Sequence, residues 1–232
     1  MTVKWLPSYA PVDEEFDNVS LLLHGDGTNG STTIVDNSSS PKAVTAVGDA
    51  QISTAQSKFG GSSITFDGTG DYLTVPSSAD FAFGTGDFTV DGWVRVNTVT
   101  SKSNGVFQQA TTLFPQSTTN SVALGTSNNN WQIYAKNAQS VSVATLDAST
   151  WYFFALVRNG TTTRLYIDGT SVIEVTADST NYTGQIVGVG SIFGTSAYNT
   201  TMNGYIDDLR ITKGVARYTS NFTPPTAPFP DF

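Results

Sequence analysis

A few residues in this chain have types and spacings suited to chemistry. His24, the single histidine, stands two positions before Asp26 in "LLLHGDGTNG", and Asp207 and Asp208 are adjacent in "GYIDDLRIT". A histidine held by a carboxylate can serve as a base towards a nucleophile. No nucleophile motif accompanies His24, so it is expected at the surface or packed at a strand end. Zinc needs several cysteine or histidine ligands, and the chain has no cysteine. Glycoside hydrolysis needs two carboxyl groups across the scissile bond. Beyond the opening stretch no carboxylates alternate at i, i+2, and Glu174 is the only glutamate there. Asp87 and Asp91 are four apart, with Asp87 in a turn. A hydrolase is therefore not expected.

The loops "GDGTNG" and "FDGTGD" offer carboxylate and carbonyl oxygens of the kind calcium prefers. Neither fits an EF-hand, because Tyr72 stands where that loop needs glycine. They read equally as Asx turns, with aspartate bonding its own backbone.

The aromatic residues are the other candidates. Trp93 shares a strand face with Asp91 and Arg95; it either stacks on a sugar or packs beneath a loop. Trp131 follows "SNNN", and Tyr198 precedes Asn199. An apolar ring beside an amide suits glycan contact. Trp5, Tyr9 and Phe16 punctuate the first 18 residues, and Phe222, Phe229 and Phe232 the last fourteen. Apolar side chains on extended segments are costly unless they dock. The opening arm is expected to dock on a neighbouring subunit, and the Pro-rich tail on its own domain.

These residues must be positioned by strands. Charged residues make up 13% of the chain, about half the usual share, so the polar surface is built of Ser, Thr, Asn and Gly. The formal charge of −8 disfavours nucleic acid and anionic membranes as partners. The opening stretch lacks the apolar core of a signal peptide, so export, if it occurs, is expected without one. "VSLLLH" (19–24) reads as a short strand, 62–75 as two strands about a Gly/Asp turn, and 86–96 as a strand with Phe88, Val90, Val94 and Val96 on one face. "WYFFALVRNGTTTRLYIDGTSVIEV" (151–175) is a meander with tight turns at Asn159-Gly160 and Asp168-Gly169. The run 151–157 is apolar on both faces, as a strand buried on both sides would be. "GQIVGVGS" and "GYIDDLRIT" add two strands, and 97–130 reads as strands with long polar loops. Strict alternation in the last strand puts Tyr205, Asp207, Leu209 and Ile211 on one face and Ile206, Asp208, Arg210 and Thr212 on the other. Which aspartate faces the core stays open. No helical periodicity persists. The expected fold is all-β, an antiparallel two-sheet sandwich.

"SLLLHGDGTNGSTTIVD", "KFGGSSITFDGTGDYLTVP", "GDFTVDGWVRV", "WYFFALVRNGTTTRLYIDG" and "GYIDDLRITKGVARYTSNFTPPTAPF" together resemble laminin-G-like, concanavalin A-like domains, most closely those of tailed-bacteriophage virion proteins. The resemblance spans roughly residues 19–229. It implies a jelly roll whose first and last strands are neighbours, placing Asp208 near Asp26 around a calcium ion. It also implies a non-enzymatic virion protein, a capsid decoration or a tail or fibre component, present in many copies among other virion proteins. The alternative is a glycan-binding lectin or adhesin that recognises host surface polysaccharide. The expected organisation is an arm at 1–18, a sandwich at 19–218 and a tail at 219–232.

Overall fold

The computed structural model describes residues 12–99, 103–112, 119–192 and 200–232. In chain order the strands are β1 (Val19–Leu23), β2 (Thr45–Val47), β3 (Gln51–Ser53), β4 (Ser63–Asp67), β5 (Tyr72–Val75) and β6 (Phe88–Val96). Next come β7 (Ser103–Ala110), β8 (Val122–Ser127), β9 (Asn130–Ala135) and β10 (Ala138–Thr145). The meander is β11 (Trp151–Asn159), β12 (Thr162–Ile167) and β13 (Thr170–Val175). The last strands are β14 (Ile186–Val189), β15 (Ser191–Ile192), β16 (Thr200–Thr201) and β17 (Asn203–Lys213). Among the described residues the only helices are two single 3-10 turns, Phe16–Asn18 and Ala79–Phe81.

Two large antiparallel sheets result. One runs β13-β12-β11-β6-β17-β4-β3, with β1 also paired to β17; the other runs β10-β9-β8-β7-β14-β5-β2. Phe88, Val90 and Val94 of β6 and Phe154 and Leu156 of β11 meet Phe107, Leu124, Trp131 and Ile133 of the facing sheet in one core. The fold is the expected sandwich. At the β12–β13 turn Asp168 and Gly169 both have positive φ, the geometry a two-residue hairpin turn requires.

The first sheet is buried on its outer face too. Trp93, Phe153, Ala155, Val157 and Tyr166 form a second cluster there with Val19, Leu22 and Phe229, and Phe16, Tyr218 and Phe222 pack onto it. The tail therefore lies across the sheet, which is why Trp151–Val157 carries apolar residues on both sides. Each fully buried aromatic contributes about 1.5–3 kcal/mol through area removed from water.

Beneath the tail runs a buried charge network. Asp91 is wholly buried and accepts two hydrogen bonds from Arg210, at 3.1 and 2.7 Å, and one from Tyr218. Arg210 and Arg217 both donate to Asp13, and the Phe229 ring lies 3.7 Å from the Arg210 guanidinium. The neighbouring guanidinium charges hold the Asp13 carboxyl below the ordinary carboxylate range despite its burial. The Asp13 N–H donates to the Phe232 carbonyl. Residues 12–18, expected to belong to the arm, are thus tied to the sandwich. Phe16, expected to dock on a neighbour, packs on its own sheet.

Strict alternation fails in β17. Its register with β6 shifts between Asp207 and Arg210, and Asp208 has φ +52°. This is a β-bulge, in which two residues oppose one on the partner strand. Ile206, Leu209 and Ile211 all face the main core, while Asp207, Asp208 and Arg210 turn to the tail side. The assignment of Leu209 and Ile211 to the face of Asp207 is corrected: the extra residue changes the phase. Gly92 permits the bulge, because a Cβ there would stand 3.0 Å from the Asp208 carbonyl oxygen and from Leu209 Cα.

Candidate functional site

The antiparallel pairing of β1 with β17, Leu23 opposite Leu209, carries His24 to Asp208. His24 Nδ1 lies 2.6 Å from Asp208 Oδ1, and Asp208 Oδ2 accepts the Phe229 N–H at 2.8 Å. One buried carboxylate thereby joins the end of β1 to the tail. Burial alone would lower the His24 pKa, but the hydrogen bond and charge of Asp208, helped by Asp26 and Asp231, outweigh it and hold the imidazole above its ordinary value. With Nδ1 committed to Asp208, Nε2 makes no hydrogen bond among the described residues.

Asp207 serves a different segment. Its Oδ2 accepts the backbone N–H groups of Lys58 and Phe59 at 2.6 and 3.1 Å, fixing the loop over Trp93. Burial pushes its carboxyl up to about 7 against the pull of those donors, and the charges of Asp208 and Asp26 add to the rise. In the same loop Gly60 makes room for Asp26: a Cβ there would overlap the Asp26 carboxylate. Ser62 completes the arrangement by accepting from Gly27 N–H and donating to the Gly25 carbonyl.

A cleft of about 430 Å³ opens between the end of β1, the 34–37 segment and the tail. Val35 is the exposed apolar residue of its lining, above the buried Ile34, Ile52 and Phe229, and His24, Asp26, Asn37 and Asp231 supply polar groups. The 34–37 segment is held to β1 by Asn37 N–H to the Leu22 carbonyl and by Leu22 N–H to the Asp36 carboxylate. Its size falls in the range of small-ligand sites, and polar groups make up about half of its lining.

The sequence candidates fall in different places. His24 and Asp26 line this cleft, and Asp208 stands behind His24. The residues do not fit calcium: both Asp208 oxygens are engaged by protein groups, and no group of three or more His, Asp or Glu side chains that could hold a metal occurs among the described residues. Trp93 packs beneath the 58–59 loop, with Lys58 Nζ 3.7 Å from its ring centre and Phe59 and Phe153 edge-on. Trp131 has no exposed surface and meets Tyr152 edge-on in the core. Neither indole presents a face to a ligand, because the loop covers one and the facing sheet the other. Tyr198, Asn199, Trp5 and Tyr9 lie outside the described residues. Sequence reasoning missed Asn37, Asp231 and the apolar wall, which come from segments far apart in the chain.

Comparison with known proteins agrees with this architecture. Residues 67–217 match a laminin G-type family model described as the Concanavalin A-like lectin/glucanases superfamily. No curated protein matches. Among solved structures, the binding domain of botulinum neurotoxin serotype C1 superposes with a TM-score of 0.63 at 15% identity, over 87% of this chain and 50% of that one. A structure of botulinum neurotoxin type C, whose cell entry depends on two ganglioside molecules, gives 0.64 at 16% identity over 87% and 49%. The botulinum neurotoxin DC binding domain in complex with rat synaptotagmin II gives 0.63 at 15% identity, over 87% and 49%. The chain spans about half the length of these structures, and at such identities the likeness is one of fold.

Proposed function

Because the chain belongs to the concanavalin A-like lectin/glucanases superfamily, we propose that it is a non-catalytic attachment module that binds glycan through the cleft at His24. The cleft itself carries this reading: the exposed Val35 beside a histidine, an amide and two carboxylates offers a sugar ring one apolar contact and several partners for its hydroxyls. The ganglioside named for one structural neighbour supports a surface-glycan role for this fold. Catalysis is disfavoured on chemical grounds. Asp26 and Asp231 stand exposed, not in the apolar pocket that a general acid needs. The cleft lining offers His24 no hydroxyl or thiol nucleophile.

The test is a glycan array followed by titration calorimetry with the full chain. Saturable binding that is lost in Asn37→Ala is expected, with no reducing ends released from any bound polysaccharide. Release of reducing ends would make it a hydrolase.

The finer placement is on a bacteriophage virion, as a decoration or a tail or fibre component, supported by the sequence resemblance. Removing residues 1–11 leaves Asp13 in its ion pairs and is expected to reduce incorporation into particles; unchanged incorporation would count against it.

A further inference from the structure

The charge of the cleft selects among sugars. His24 has its partner in Asp208. Asp26 and Asp231 also line the cleft, yet neither makes an ion pair or a side-chain hydrogen bond among the described residues. Both lie near enough to His24 for their charges to act on its ring. No lysine or arginine lines the cleft. With His24 partnered by Asp208, two carboxylates stay uncompensated beside the exposed Val35. The chain as a whole adds a formal charge of −8, so the long-range field has the same sign.

The geometry points to a glycan bearing a free, protonated amine, a hexosamine that is not N-acetylated, as the ligand of this cleft. The inference rests on the glycan-attachment reading above and adds the ligand class. The ring lies against Val35, and its ammonium donates hydrogen bonds to Asp26 and Asp231. Asn37 is left for a hydroxyl. An N-acetylated sugar loses the positive charge, and a uronic acid meets two like charges. Exposed ion pairs are individually weak, so two of them support a preference of about tenfold.

The experiment titrates the full chain calorimetrically with glucosamine oligomers, the matching N-acetylglucosamine oligomers and oligouronic acids, at low and at 0.5 M salt. The expected result is about tenfold tighter binding of the amine form, weakened by salt, with the uronic acids weakest. Asp26→Asn with Asp231→Asn changes two exposed side chains and should bring amine and N-acetyl forms within about twofold. Equal or tighter binding of the N-acetyl or uronic forms overturns the amine preference and leaves the glycan reading standing. A preference that survives the double variant also overturns it. Binding of a lysine-rich peptide with no response to any sugar overturns both.

Discussion

Asp207 and Asp208, neighbours in the chain, send their carboxylates to the same side of one sheet and hold different segments there. Asp207 grips the amides of Lys58 and Phe59, while Asp208 grips His24 and the Phe229 amide. An ordinary strand would have sent one of them into the main core, where an unpaired carboxylate is very costly. The left-handed backbone at Asp208 avoids that.

This arrangement gives stability a definite pH dependence. The Asp207 pKa rises from the unfolded value to about 7 on folding, so the folded state holds that proton more tightly. Stability therefore falls as pH rises from about 4 to about 7, by on the order of 4 kcal/mol. The His24 contribution has the same sign: present below its unfolded pKa and lost as pH rises through the higher folded value. Asp13 and Asp178, both lowered, stabilise above their unfolded pKa and lose that only as pH falls further through their folded values. Denaturant melts should show maximal stability at mildly acidic pH. Asp207→Asn should flatten the decline, and an unchanged slope in that variant would refute the assignment.

The Asp91–Arg210 pair makes the second prediction. Asp91→Ala leaves a buried guanidinium without its bidentate partner and frees the Tyr218 hydroxyl. Breaking a buried pair from one side costs about 3–5 kcal/mol; Asp13, which also contacts Arg210, should keep the loss near the lower figure. Urea unfolding measures it, and a loss below about 1 kcal/mol would show that the network contributes little.

Calcium supplies the third. With both Asp208 oxygens taken by His24 and Phe229, millimolar calcium should leave Tm where chelator leaves it. A ligand that binds the folded state raises Tm, so a rise of several degrees would mean that Asp208 gives up its protein partners for the ion.

The strands were legible because their apolar residues alternate and Gly-containing turns separate them. The bulge was not read from the sequence, although its mark is there: Ile206, Leu209 and Ile211 are spaced by three and then two, and an odd step between core residues changes the face. Nor was the burial of Trp131, while for Trp93 packing beneath a loop, as found, stood beside sugar stacking as a reading. Trp93 alternates with buried neighbours as an outward-facing residue should, and only the arrival of the 58–59 loop and of Phe229 from the far end of the chain encloses that side. The cleft was half legible. The resemblance brought His24 and Asp26 towards Asp208, but Asn37 and Asp231 join them only through long-range hydrogen bonding of β1 to the 36–37 segment and of Asp208 to the tail.

The bond from the Asp13 amide to the Phe232 carbonyl brings two points 219 positions apart into contact. Such a module can be spliced as a cassette into the surface loop of a carrier protein with little strain on either junction.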